Sequence, residues 1–215
     1  MEPHVYVLHL KHRVDRKQQF TAAWAAAGIH SRPHWFPAVL GTALSNATLA
    51  NFRTAARTRK ARAGRVGCYC SHVAAMEHAI KHDHFPLLIL EDDAIPTGPL
   101  DLAALFASAP PTAKLLYFGA LPVRNRRPVR VCSRKRRWHS APRETQLYGG
   151  HAYGIPSATA ASELVAFLKE HRMTFDSALI RYTKAHPTAV YIHCPFVFVQ
   201  AEGYSNIEHA DRPQR

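Results

Sequence analysis

Three consecutive carboxylates, Glu91, Asp92 and Asp93, follow an unbroken apolar stretch at residues 85–90. An apolar run without alternation is typical of a strand that is buried on both faces of a parallel sheet. Ligands of open α/β sheets bind beyond the carboxyl ends of the strands, which is where these acids stand. Two carboxylates about 4 Å apart repel each other by about 4 kcal/mol at an effective dielectric constant of about 20, and a divalent cation relieves that repulsion.

The three acids differ in where they point. Side chains alternate along a strand, so Glu91 and Asp93 are expected to face one way and Asp92 the other. Hard oxygen ligands suit Mg²⁺ or Mn²⁺, and such a cation suits a diphosphate. We therefore predict that Glu91 and Asp93 bind a divalent cation and that Asp92 supports the cofactor. The alternative is a solvated acidic turn.

The composition is that of a globular protein. With 215 residues and 47% hydrophobic content, the sequence predicts one domain over residues 1–215 with a sizeable core. No apolar stretch reaches the roughly 18 residues of a membrane span, and no signal-peptide pattern precedes the first strand, so a cytoplasmic protein is expected. The four cysteines are few and scattered, which predicts reduced thiols at Cys68, Cys70, Cys132 and Cys194.

The formal net charge of +13 implies an anionic partner, which could be nucleic acid, an anionic membrane surface or a polyanionic substrate. Basic residues concentrate in two tracts, residues 53–65 and 124–137. The second tract holds eight Lys or Arg in fourteen residues and no acid, so we expect a surface loop that is poorly ordered when free. A polar C-terminal tail follows at residues 201–215.

The start of the chain has the order of a nucleotide-binding α/β unit. A strand at residues 5–10 is followed by a basic turn and a helix at residues 18–27. Arg13 and Arg16 in this turn are placed to meet phosphate or carboxylate, although a solvated basic turn explains them equally well. Further strands are predicted at residues 115–119 and 148–155.

Residues 64–72 lead into a second helix, whose start at Ser71 and His72 would supply backbone donors to an anion. The Cys-x-Cys-x-His spacing there differs from that of zinc-binding pairs, and no second pair is near. We therefore interpret Cys68 and Cys70 as packing residues, neither zinc ligands nor a disulfide. Further on, the paired glycines 149–150 would let a ligand approach the backbone closely.

These segments, in this order, resemble glycosyltransferase family 25, which covers bacterial lipooligosaccharide galactosyltransferases and collagen hydroxylysine galactosyltransferases. The resemblance lies in six short motifs spread along the chain. They are the first strand with Asp15-Arg16, Gly67-Cys68-x-x-Ser71-His72, Leu88-Ile89-Leu90-Glu91-Asp92-Asp93, Gly150-His151-Ala152-Tyr153, Asp176 with His186-Pro187, and Glu202-Gly203-Tyr204-Ser205. His9 and Lys11 depart from the family's Asn and Asp.

The resemblance implies the α/β class: a single GT-A-like (Rossmann-related) domain with a mostly parallel central sheet flanked by helices. It also implies an inverting transfer of galactose or another hexose from a UDP-sugar, with Mn²⁺ or Mg²⁺. The acceptor would be a hydroxyl of a glycan, a glycolipid such as lipooligosaccharide, or a protein.

The same resemblance assigns roles to individual residues. Asp176 would be the catalytic base, although an Asp at this point is more often a helix N-cap. Glu91 and Asp93 would hold the cation, and His151 would line the donor pocket or ligate the metal, if it is not simply packed. The remaining donor-side residues are Arg13, Arg16, Gly67, Ser71, His72, Asp92 and Gly150.

Two competing interpretations stay open. A nucleic-acid-binding protein could use the two basic tracts on phosphates and Trp138 for stacking. A degenerate transferase could keep the fold as a binding module, although Glu91, Asp92, Asp93 and Asp176 are all present. Basic loops also suit an enzyme that is peripheral on the inner face of an anionic membrane.

Overall fold

The computed structural model describes residues 1–125, 127–132, 137–201, 203–204 and 211–212, the last two pairs by their backbone only. A mixed β-sheet with helices on both faces forms its centre. Within the described ranges the sheet has eight strands in the order β2-β1-β3-β8-β5-β9-β7, with β6 paired to β5. Five of them (β1, β2, β3, β5 and β9) run in one direction, and the other three oppose them. The predicted α/β class is confirmed.

The strands and helices have the following bounds. The strands of the main sheet are β1 (His4–His9), β2 (His34–Pro37), β3 (Leu87–Glu91), β5 (Leu115–Arg124), β6 (Arg127–Pro128), β7 (Trp138–Ser140), β8 (Gln146–Ile155) and β9 (Val190–His193). Short pairs are formed by β4 (Ala94–Pro96) with β10 (Phe198–Gln200), and by β11 (Gly203–Tyr204) with β12 (Asp211–Arg212). The helices are α1 (Val14–Ala26), α2 (Asn46–Ala50), α3 (Arg59–His82), α4 (Leu102–Ala107), α5 (Ala158–Glu170) and α6 (Phe175–Ala185), with a 3₁₀ turn at Gly41–Ala43.

Strand β3 is buried on both faces, as its unbroken apolar run predicts. Leu87 and Ile89 pack on the side of α3, α5 and α6, whereas Leu88 and Leu90 pack on the side of α1 and α4. None of these four side chains is exposed to solvent. The strand is flanked by β1 in parallel and by β8 in antiparallel register, so it lies inside the sheet. Its last residue is Glu91, and Asp92 and Asp93 follow in a tight turn.

Helix α3 differs from its prediction. Ser71 and His72 were expected at a helix start, but the helix begins at Arg59 behind the N-cap Thr58, whose side chain accepts a hydrogen bond from the Ala61 N–H. The last part of the basic tract at residues 53–65 forms the first two turns of this helix. Ser71 and His72 therefore lie in mid-helix, where their backbone N–H groups are used within the helix.

The cysteine prediction is wrong for one pair. Cys132 and Cys194 form a disulfide across 62 residues of sequence, with their Cα atoms 5.2 Å apart. The sequence analysis missed this pair because the pairing of β7 with β9 brings the two cysteines together. The spacing of cysteines along the chain does not reveal such a strand pairing. Cys68 and Cys70 are free, as predicted.

One cysteine of the disulfide, Cys132, lies inside the basic tract at residues 124–137. The tract begins at the end of β5, forms β6, and is tied to β9 by the disulfide and by the Cys194 N–H, which donates to the Arg137 carbonyl at 2.7 Å. Residue 126, residues 133–136 and most of the tail at 201–215 lie outside the described residues. Among the described residues, no helix is long and apolar enough to cross a membrane.

Candidate active site

A cavity of about 210 Å³ opens at the carboxyl ends of β1 and β3. Two adjoining walls are formed by α3 and by the segment that follows β2, including Val39 and Gly41. Its floor carries all three predicted acids, Glu91, Asp92 and Asp93. The acids lie there because they follow the carboxyl end of β3, and ligands of such sheets bind beyond the carboxyl ends of the strands.

Asp92 and Asp93 share one cationic partner. The Arg16 guanidinium lies 2.7 Å from Asp92 Oδ1 and 3.1 Å from Asp93 Oδ2. Arg16 reaches them from the first turn of α1, which begins at Val14 and so earlier than the sequence predicted. The other oxygen of Asp92 lies 2.9 Å from His9 Nδ1 at the end of β1. Asp92 therefore has both oxygens bound by protein groups.

Glu91 lies on a different side of the cavity, against α3. Its Oε1 is 3.3 Å from His72 Nε2 and 3.9 Å from Cys68 Sγ. The predicted alternation is therefore incomplete: Asp93 shares Arg16 with Asp92, because the strand stops at Glu91 and the turn redirects the last acid.

Burial is the main cause of the pKa shifts of Glu91, His72 and Cys68 on the α3 side of the cavity. Burial, followed by repulsion from Asp93 and Asp176, raises the pKa of Glu91 to about 8. Burial lowers the pKa of His72 to about 3, so the imidazole is neutral. Burial and the Glu91 charge raise the pKa of the Cys68 thiol well above its usual value.

One carboxylate oxygen of the three acids, Asp93 Oδ1, is best suited to bind a hard divalent cation, which prefers oxygen ligands. Asp93 is buried, and its Oδ1 has no hydrogen-bond partner among the described residues. An orphaned buried carboxylate oxygen is costly, and a cation removes that cost. Glu91, whose carboxylate is disfavoured by the negative charges around it, is the second oxygen donor that fits.

Asp176 lies in the first turn of α6, near the same acids. The N-cap of α6 is Thr174, so the N-cap interpretation of Asp176 does not apply. Its Oδ1 instead accepts from the backbone N–H groups of Gly149 and Gly150, at 3.1 and 3.0 Å. Its charge contributes to the pKa shifts of Glu91, His72 and Cys68, although Asp176 is not among the residues that line the cavity.

Several predicted donor-side residues do not line the cavity. Arg13 pairs with Asp15 at 2.7 Å on the surface. The space beside Gly150 is filled by Phe175, whose ring lies 2.5 Å from where a Cβ would stand, so no ligand approaches there. Gly67 faces the Gly41 backbone, and His151 is buried in the inner strand β8 against Gly119 and Gly149.

Ser71 and His72 do line the cavity, but through their side chains. The Ser71 hydroxyl donates to the Gly67 carbonyl at 2.7 Å and accepts from the Val39 N–H at 2.8 Å. Ser71 thus holds the segment after β2 against α3. His72 is fixed by Tyr153, whose hydroxyl is 3.0 Å from Nδ1.

Sequence reasoning missed Lys60 and Gly64, which line the cavity from the basic tract at residues 53–65. With Cys68 and His72 they form the series i, i+4, i+8 and i+12, one stripe of a helix. The signal was present in the sequence, but it becomes visible only once α3 is known to begin at Arg59. His9 was noticed only as a departure from the family pattern, although it binds Asp92.

Comparison with known proteins gives a partial match. Residues 2–100 match the model of glycosyltransferase family 25 (LPS biosynthesis protein). This part of the chain contains β1, α3 and all three acids, so the predicted resemblance is confirmed there. No curated protein sequence matches the chain. A solved structure, a glycosyltransferase involved in the glycosylation of the major capsid of PBCV-1, is similar with a TM-score of 0.41 and 10% identity, over 96% of this chain and 97% of that one.

Proposed function

Because residues 2–100 match the family 25 glycosyltransferase model, we propose that this protein is a glycosyltransferase that moves a hexose from a UDP-sugar to a hydroxyl acceptor with inversion. The observation that carries the proposal is the placement of Glu91, Asp92 and Asp93 together in the cavity at the carboxyl end of β3. A diphosphate needs cationic contacts there, and the cavity offers Arg16 and Lys60 as well as the acids that can hold a divalent cation.

Asp93 and Glu91 would hold Mn²⁺ or Mg²⁺, with Asp93 Oδ1 as the principal donor atom. Such a cation binds the donor diphosphate and neutralises the charge on the leaving group. Asp92 has a supporting role, since His9 and Arg16 occupy both of its oxygens. By holding Asp92 and Asp93 together, Arg16 keeps the turn after β3 in place.

Lys60 is the cationic side chain that α3 contributes to the cavity rim. It is exposed and close to the walls formed by Leu10 and Val39, so it can reach a phosphate without being buried. The apolar walls would contact the nucleoside. The basic side chains, and the cation that the acids would hold, would contact the diphosphate.

Asp176 is our candidate for the general base that takes the proton of the attacking hydroxyl. Two backbone N–H groups hold Oδ1 in a fixed position, which leaves Oδ2 for a substrate proton. The Asp176 carboxylate is half-buried, and its charge reaches Glu91.

The basic tract at residues 124–137 would act on the acceptor side. It belongs to β5, β6 and the loop tied to β9, whereas the cavity is built from β1, β3, α1 and α3. An anionic glycolipid at a membrane surface suits its charge. Replacing Arg127 and Arg130 by Ser should weaken binding to anionic vesicles at low salt and leave donor hydrolysis unchanged. Loss of only nucleic-acid binding would favour the nucleic-acid interpretation instead.

The test of the donor site is calorimetry with UDP in the presence of Mn²⁺ or of EDTA. We expect tighter binding with Mn²⁺, and we expect Asp93→Asn to remove the difference while the circular dichroism spectrum stays unchanged. Lys81→Gln at the far, exposed end of α3 is the matched control for Lys60→Gln, which should weaken UDP binding. Equal affinity with Mn²⁺ and EDTA would overturn the proposal. Hydrolysis of a panel of nucleotide sugars then identifies the donor.

A further inference from the structure

Three different donor atoms converge at the α3 side of the cavity. Cys68 Sγ, His72 Nε2 and Glu91 Oε1 all lie within 4.8 Å of one another. Cys68 and His72 stand one helical turn apart on α3 and therefore project from the same face. Glu91 meets them from the end of β3. Cys70, two residues from Cys68, does not belong to this group.

The distances are close to those that zinc imposes on its ligands. Zn–S and Zn–N or Zn–O bonds of about 2.3 and 2.0 Å in a tetrahedron place N and O about 3.3 Å apart and S and O about 3.5 Å apart. The corresponding distances here are 3.3 Å from His72 Nε2 to Glu91 Oε1 and 3.9 Å from Cys68 Sγ to Glu91 Oε1. The Cys68 Sγ and His72 Nε2 atoms lie within 4.8 Å of each other, so a metal bound here would draw the thiol closer to the other two donor atoms.

The imidazole is held ready for coordination. The Tyr153 hydroxyl lies 3.0 Å from Nδ1, and the Phe175 ring stacks on the imidazole at 3.7 Å with an interplanar angle of 1°. A partner on the second nitrogen of a histidine is a usual feature of metal ligands, because it fixes the ring orientation. Nε2 therefore points at Glu91 without a change of rotamer.

The donor set also separates this site from the acids. A thiol, an imidazole and one carboxylate suit Zn²⁺ or Co²⁺, whereas Mn²⁺ and Mg²⁺ prefer oxygen alone. We propose that Cys68, His72 and Glu91 form a zinc-binding site with an open fourth position facing the cavity. The proposal replaces the interpretation of Cys68 as a packing residue and keeps that interpretation for Cys70.

If the protein is the proposed transferase, zinc at this site would affect its activity. This effect is the only part of the inference that rests on the proposed function. The Oε1 atom of Glu91 belongs to both proposed sites, so Zn²⁺ would compete with the hard cation for this oxygen. Zinc would then inhibit transfer at concentrations that saturate the Cys68 site. The Cys68 thiol releases its proton as the metal binds.

Cobalt provides a readout that does not depend on activity. Titration of EDTA-treated protein with Co²⁺ should produce a near-ultraviolet sulfur-to-metal charge-transfer band, which one equivalent of Zn²⁺ should abolish. Cys68→Ser should remove the band and weaken Zn²⁺ binding by at least about 10–100-fold in calorimetry. Cys70→Ser, on the same helix, is the matched control and should retain both.

Other outcomes would overturn the site. Cobalt binding by the wild-type protein without a charge-transfer band excludes Cys68 as a ligand, whether or not any variant folds. A band that survives Cys68→Ser, or that is lost with Cys70→Ser, has the same meaning. If the band behaves as expected but UDP binding is independent of Mn²⁺, the zinc site stands and the proposed donor site fails.

Discussion

The three acids of the cavity illustrate how neighbouring residues of similar chemistry receive different roles. Asp92 is bound at both oxygens, Asp93 keeps one oxygen without a partner among the described residues, and Glu91 is destabilised as a carboxylate. Only the last two have a physical reason to accept a cation. Their arrangement costs stability in the absence of the cation, which is common where a site is built for a ligand.

Glu91→Gln tests this cost. Burial and the neighbouring acids raise the pKa of Glu91 from 4.5 to about 8, so the folded protein holds a proton that the unfolded chain has lost. The stability from this proton is complete below the unfolded pKa and is lost as the pH rises through about 8. We expect Glu91→Gln to exceed the wild type in unfolding free energy by about 1–3 kcal/mol at about pH 9.

Denaturant titrations in EDTA at about pH 6 and about pH 9 measure the effect. The difference between the variant and the wild type should be much smaller at the lower pH. Saturating Mn²⁺ should stabilise the wild type more than the variant. A difference that does not depend on pH contradicts the role given to the Glu91 charge.

Asp176→Asn tests the general base. Asparagine keeps an oxygen for the Gly149 and Gly150 N–H groups, so the local structure should persist. Turnover should fall by about 10²–10⁴-fold, the usual contribution of a general base, with little change in UDP affinity. Parallel loss of UDP affinity would make Asp176 a donor-binding or structural residue. Glu202, the next candidate, lies outside the described residues.

At the scale of elements, the cavity depends on how closely α3 approaches the segment after β2. A Cβ on Gly67 would lie 2.8 Å from the Gly41 backbone and from the Val39 carbonyl oxygen, and a Cβ on Gly41 would lie 1.8 Å from the Ala63 carbonyl oxygen. Backbone meets backbone there, so neither neighbour can rotate away. The two glycines therefore let these two walls of the cavity meet closely.

Gly67→Ala should destabilise the protein by about 1–3 kcal/mol, the usual cost of overpacking. It should also weaken UDP binding, because Val39 and Gly41 belong to the displaced wall. Gly98→Ala is the control, since nothing lies within 4 Å of the added methyl group. Thermal unfolding and calorimetry measure both effects. Unchanged UDP affinity in a destabilised Gly67→Ala protein would show that this wall does not contact the nucleotide.

For the whole molecule, the Cys132–Cys194 disulfide joins the basic tract to the residue that follows β9. It closes a long loop, so in the chain-entropy description it restricts the unfolded state substantially. A double Cys132→Ser, Cys194→Ser variant should lose about 2–4 kcal/mol of unfolding free energy. The loss should appear as a lower denaturant midpoint.

Thiol titration of the denatured, unreduced protein provides the direct check. Two reactive thiols, Cys68 and Cys70, are expected before reduction and four after it. Cys70→Ser serves as the control for cysteine replacement as such and should leave the midpoint nearly unchanged. Four thiols before reduction would contradict the disulfide.

The sequence by itself determined the features that depend on local pattern. The apolar run before Glu91 predicted a strand buried on both faces, and the strands predicted at residues 115–119 and 148–155 lie within β5 and β8. These follow from neighbouring residues, whose periodicity and hydrogen-bonding capacity act over a few positions. The order of the motifs was also sufficient for the family resemblance over residues 2–100.

Only the tertiary structure decided which side chains meet. The pairing of Arg16 with Asp92 and Asp93, of Cys68 with Glu91, and of Cys132 with Cys194 joins residues far apart in the chain. The start of α3 was misjudged because its first turns carry charge, and packing against the segment after β2 decides that they are helical. Long-range contacts of this kind depend on sheet order and helix packing, which no local pattern encodes.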